Sequence, residues 1–116
     1  MNFKDLIAYQ KAKELNRRCL EIIRNNGGQL PLYFKDQLGR SALSVALNIA
    51  EGSGRSTEKD QKHFFIMANG SLREVEALLD MLDLFWKKAP TTNEDIYDLI
   101  DFIRKLLRGL INKNSK

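Results

Sequence analysis

The chain has one cysteine, one histidine and two prolines among its 116 residues. A single thiol excludes an internal disulfide framework and suits a reducing compartment. A single imidazole excludes most metal cages and most His-dependent catalysis, so neither a metal nor a cofactor is expected. The longest apolar run, Phe64-Phe65-Ile66-Met67-Ala68, is far short of the ~20 residues that span a bilayer. The opening MNFKDLIAYQKAK lacks the apolar stretch of a signal peptide. A cytoplasmic protein with no membrane partner is expected. No P-loop, GxGxxG, GxSxG or zinc spacing occurs, and there is no internal repeat or low-complexity tract.

What is present is an ordinary globular composition, 43% hydrophobic and 29% charged, at a length suited to one domain with one core. The net charge of +4 permits a polyanionic partner without demanding one. Pro31, Pro90, Gly27-Gly28 and Gly52-Ser53-Gly54 divide the chain into four segments with helical apolar spacing and no strand-like alternation. Helices are predicted at about 3–24, 31–51, 57–88 and 93–111. Asn2, Thr57 with Asp60, and Thr92 with Asp95 are candidate caps, and Pro31 suits a first helical position. Ala8, Ala12, Leu15, Cys19, Ile22 and Ile23 make the stripe of the first helix, and Leu6, Tyr9 and Leu20 widen that face. Phe34, Leu38, Ala42, Val45 and Ile49 make that of the second. The third uses Phe64, Ala68, Leu72, Val75, Leu79, Leu82 and Trp86, and in the fourth Ile96, Leu99, Ile100, Ile103, Leu106, Leu107 and Leu110 repeat at helical spacing. At ~1.5 Å per residue the third helix would approach ~45 Å, and close packing is expected at its mid-helix Gly70. The fold class is all-α, an antiparallel up-down-up-down four-helix bundle over residues 1–116.

Candidate chemistry is sparse. Gln37, Ser41, Ser44, Asn48 and Glu51 form a polar line between two apolar faces of the second helix. That line reads either as a lined ligand groove or as a hydrogen-bonded seam fixing register. Glu74 falls among Met67, Leu78 and Phe85, an expensive place for an unpaired carboxylate. Arg55 is expected to offset it, with Asn48 or Ser71 as hydrogen-bond partners. A Glu51–Glu74 carboxylate pair is the sharper, catalytic alternative. His63 reads as a surface residue and Cys19 as a small apolar filler. Gly52-Ser53-Gly54-Arg55-Ser56 is a candidate phosphate loop at a helix start, although glycines there more commonly serve as a cap. A helix-turn-helix reading of 46–52 conflicts with the long apolar helix that follows.

Charge is uneven: residues 61–103 lean acidic, with Glu76, Asp80 and Asp83 forming a ridge, whereas 104–116 are basic without an acid. Such a ridge is either a solvated face or one that meets the basic face of a neighbouring subunit. The second and third helices also carry second apolar lines, Leu43, Leu47 and Ala50 on one, and Met67, Leu78, Met81 and Phe85 on the other. One protomer cannot hide both, so a homo-oligomer is predicted.

Further residues carry a family resemblance over essentially the whole chain. They are Phe3-x-x-Leu6-x-x-Tyr9-x-x-Ala12, Leu30-Pro31, Gln37-Leu38-Gly39-Arg40-Ser41-Ala42-x-Ser44-Val45, Asn48-Ile49-Ala50-Glu51-Gly52, Arg55, Phe64 and Ala68-x-Gly70-Ser71-x-x-Glu74. The chain resembles the four-helix-bundle proteins encoded in intervening sequences of bacterial 23S rRNA genes, which are related to an accessory protein of diversity-generating retroelements. The resemblance implies a non-enzymatic bundle, a ring-like pentamer, and a partner that is RNA, DNA or an enzyme such as a reverse transcriptase. The family often has two adjacent arginines where this chain has Gly39-Arg40, which halves a basic pair. Arg17, Arg18, Arg40, Arg104, Lys105 and Arg108 are the candidate phosphate contacts. Gln37, Ser44, Asn48, Glu51, Arg55, Ser71 and Glu74 are the polar network of the motif. The rival reading is a protein-interaction scaffold docking a partner enzyme.

Overall fold

The computed structural model describes residues 2–87 and 94–113, and every described element is helical. Asn2 opens the chain by accepting the Lys4 N–H at 3.0 Å, which caps a 3-10 turn over Phe3–Asp5. Leu6 is extended, with ψ 127°, and separates that turn from α1 (Ile7–Arg24). The break lets Leu6 pack against the core, and Phe3 meets Tyr9 edge-to-face at 4.9 Å. A continuous first helix from residue 3 is therefore replaced by a turn and a kink.

α1 closes on Gly27 and Gly28, whose φ values of 63° and 80° lie where glycine alone is unstrained. Asn26 is buried beside them. It donates to the Ile23 carbonyl at 2.8 Å and accepts the Leu30 N–H at 3.0 Å, clamping the reversal into α2. Pro31 is the N-cap of α2 (Leu32–Ser53) and not its first residue. Thr57 then accepts the Asp60 N–H at 3.1 Å and starts α3 (Glu58–Asp80).

α3 is shorter than the sequence predicts, ending at Asp80 and not near Lys88. At ~1.5 Å per residue it is about 34 Å long. Its last turn has no basic residue, and Asp80 and Asp83 stand at the negative end of the helix dipole, where carboxylates are unfavourable. The chain instead tightens into a 3-10 turn, Leu82–Leu84, which still buries Leu82. α4 spans Glu94–Lys113. The predicted Thr92 cap lies outside the described residues.

Consecutive helices pack on one another, α2 on α3 most extensively, and α1 closes the bundle against α4. The molecule is all-α. Leu15, Leu38, Val45, Leu72, Val75, Ile100 and Leu107 fill the interior with essentially no solvent exposure. Phe65, not Phe64, is the buried ring at the start of α3. Gly52 explains the choice, because a β-carbon there would stand 2.8 Å from the Phe65 ring. Gly70, by contrast, has open space where the sequence predicts close packing.

Candidate functional site

The polar line of α2 becomes a seam against α3. Gln37 donates to Ser41 at 3.1 Å and to the Glu74 carboxylate at 3.0 Å. Ser44 and Ser71 share a hydrogen bond of 2.9 Å, and Asn48 donates to the Ser44 carbonyl and hydroxyl at 2.9 and 3.0 Å. These polar groups satisfy one another across two helices and fix their relative register.

Arg55 does not reach Glu74. It pairs with Glu51 one turn away at 2.5 Å and lies over the Phe64 ring, 4.5 Å from its centroid. Glu74 is exposed and held by Gln37, so water and an amide stabilise its charge in place of the expected guanidinium. The alternative carboxylate pair also fails on geometry. Glu51 lies fourteen residues beyond Gln37 along α2, a rise of about 21 Å, whereas paired carboxylates in hydrolases stand roughly 5–9.5 Å apart.

The phosphate-loop candidate is occupied by its own structure. Gly52 is buried against Phe65, Thr57 caps α3, and Glu58 and Asp60 place acid in the first turn. Phe65, Ala68 and Leu72 of α3 are in the core, and its 23 residues make it unlike the short second helix of a helix-turn-helix. His63 is exposed, edge-on to Phe64. Cys19 is buried. Burial pushes its thiol from 9.0 up to about 12, with Arg18 pulling the other way, so it is an unreactive thiol.

Two of the six candidate phosphate contacts are engaged by carboxylates. Arg17 pairs with Glu14 and lines the groove between α1 and α2. Arg104 reaches across to Glu76 of α3 at 2.6 Å and to Asp101 at 2.5 Å. Arg40, Lys105 and Arg108 are exposed and Arg18 is half-buried; none has a carboxylate at salt-bridge distance among the described residues. The acidic ridge lies beside α4. Burial first, then Asp80, Glu76 and Asp83, hold the Tyr97 phenol above its ordinary range.

The outer faces carry apolar surface instead. Leu43 and Leu47 on α2 are 53% and 58% exposed, and Met67 and Ile66 on α3 are 43% and 49%. Met81, Leu32 and Tyr33 are exposed as well. Two expected members of this surface are placed differently: Leu78 is buried, and Phe85 packs on Phe34 at 5.2 Å and Tyr33 at 6.2 Å.

The residues that form the seam are those of the motif, and a family model described as 23S rRNA-intervening sequence protein matches residues 4–109. The chain belongs to that family. No curated protein matches it. Within the 23S rRNA-intervening sequence protein motif, Asn48, Ser71 and Glu74 build the α2–α3 seam, Ile49 and Ala68 fill the core, and Gly52 admits Phe65. Asn16 and Asn26 are not evident from the sequence. Asn16 donates to the Ala42 carbonyl of α2 at 2.7 Å; its place one residue beyond the Leu15 core position is the only hint. Asn26 is signalled by the two glycines after it.

Proposed function

We propose that this 23S rRNA-intervening sequence protein is a non-enzymatic, self-associating scaffold that joins further copies of itself through the outer faces of α2 and α3. The observation that carries this reading is the apolar surface of Leu43, Leu47, Met67 and Ile66, each roughly half exposed on adjacent helices. Apolar surface of this kind, when it forms a patch, is uncommon on a free monomer. Charge favours a second copy as the occupant. Lys13 and Arg17 line a groove with Leu20 and Leu43, while the end of α3 and the turn after it offer Asp80 and Asp83 beside exposed Met81 and Leu84. Basic-rimmed and acidic-rimmed apolar surfaces on different sides of one chain suit a head-to-tail contact, which closes into a ring when the rotation allows. The pentamer implied by the resemblance is one such ring. In the test, Leu43→Lys with Leu47→Lys yields a monomeric mass with unchanged helical circular dichroism. An unchanged oligomeric mass refutes the proposed face.

RNA is the second reading, supported by Arg18, Arg40, Lys105 and Arg108, which are free of carboxylate partners among the described residues. Repetition around an assembly multiplies contacts that are sparse on one protomer. Removing those four charges weakens RNA binding and flattens its salt dependence, by about one unit of slope for each phosphate no longer neutralised. Equal slopes in a two-salt titration leave the scaffold docking a protein partner, such as a reverse transcriptase, as the remaining role.

A further inference from the structure

At one end of the bundle, the α1–α2 reversal faces the turn after α3 across a cleft of about 590 Å³. Asn25, Gln29, Asp83, Trp86 and Lys87 line it. Two other clefts, near 360 and 420 Å³, have aliphatic walls from Leu20, Ile23 and Leu43 or from Leu6, Leu106 and Leu110. Whereas the α1–α2 groove has Lys13, Asn16 and Arg17 as its polar groups, this cleft alone of the three combines an indole with the side-chain amides of Asn25 and Gln29 and charges of both signs.

The walls are held by contacts that do not use those groups. The Asn26 side chain is spent on the Ile23 carbonyl and the Leu30 N–H. Phe85 is fixed by Phe34 and Tyr33, and the Trp86 backbone N–H donates to the Leu82 carbonyl at 2.9 Å. Trp86 packs partly against the core, so its ring is anchored at low entropic cost. Among the described residues, no hydrogen bond or ion pair engages the side chains of Asn25, Gln29, Asp83 or Lys87.

We propose that this cleft binds an unpaired nucleobase together with its phosphate. The Trp86 indole supplies the stacking plane, and base stacking on an aromatic ring tolerates any base. Asn25 and Gln29 each offer a donor and an acceptor to a base edge, and Asp83 accepts from a base amine or imino group. Lys87 balances Asp83 and takes the phosphate as a point charge. A base within a duplex cannot enter, so the ligand is a single strand or a free nucleotide. The inference deepens the RNA reading by naming the form of nucleic acid, and rests on it only for the strand as source. It does not depend on self-association, because every lining residue belongs to one protomer.

Trp86 is the only tryptophan, so intrinsic fluorescence reports directly on the cleft. The protein is titrated with an oligoadenylate, a duplex RNA and adenosine monophosphate. Saturable quenching by the single strand, weaker by about tenfold or more for the duplex, is the expected result. In the Asn25→Ala, Gln29→Ala double variant the affinity falls about tenfold with melting temperature and oligomeric mass unchanged. Quenching by the mononucleotide alone supports the cleft and rejects RNA as its source. No quenching by strand or mononucleotide, equal quenching by the duplex, or unaltered affinity in the double variant overturns the proposal.

Discussion

Gly52 and Gly70 are one residue type under opposite constraints. A methyl group at Gly52 meets the Phe65 ring at 2.8 Å and the Phe64 β-carbon at 3.1 Å, contacts that only a shift of α3 relieves. Gly52→Ala is therefore expected to destabilise the fold by about 1–3 kcal/mol. Gly70 has nothing within 4 Å of its would-be β-carbon and sits within α3, so Gly70→Ala is expected to stabilise by about 0.5–1 kcal/mol. Thermal melts of the two variants at equal oligomeric mass check both signs. Cys19 gives a pH prediction at the same scale. Its thiol is held at about 12 against an ordinary 9.0, so the folded state favours the proton. That contribution to stability is complete below pH 9.0 and is lost as pH rises towards 12. Alkylation of Cys19 at pH 8 should be slow in buffer and fast in denaturant; fast alkylation of the folded protein would contradict the burial described.

Among elements, the connections decide more than the helices. The Asn26 clamp ties the end of α1 to the start of α2 through two bonds, one to a buried N–H. Asn26→Ala leaves that N–H unpaired and should cost about 1–3 kcal/mol in urea unfolding, without loss of helical content in the folded state. A change within error would mean that the reversal is held by Gly27 and Gly28 alone. Helical periodicity makes the four elements and the inner stripe of α2 legible, because one buried face per helix repeats every three to four residues; on α1 and α4 it also draws in Ile23, Leu99, Leu106 and Leu110, which pack only partly against the core. It does not locate the end of α3, since Leu82 and Trp86 continue the apolar spacing through a 3-10 turn. It places the network residues on one line but pairs Arg55 with the wrong carboxylate. The i,i+4 neighbour Glu51 is available locally, while the partner of Glu74, Gln37, lies 37 residues away in sequence. Phe64 and Phe65 illustrate a further limit. Adjacent rings share one apolar signal, and only the missing β-carbon of Gly52 selects between them.

The whole molecule is a bundle 46 Å long and 24 by 21 Å across, with a well-filled interior and apolar residues left outside it. Its motif explains the interior: the polar seam orders α2 against α3, and Gly52 admits Phe65. The outer leucines and methionines have no such role within one protomer. Their exposure, the basic-rimmed groove beside Arg17 and the acidic residues after Leu79 are what support the proposed assembly from copies of the chain. The central claim is that this surface is covered by self-association. Native mass spectrometry of the unmodified protein across micromolar concentrations tests it most directly. A closed oligomer as the dominant species is the expected result; a monomeric mass throughout that range would contradict it.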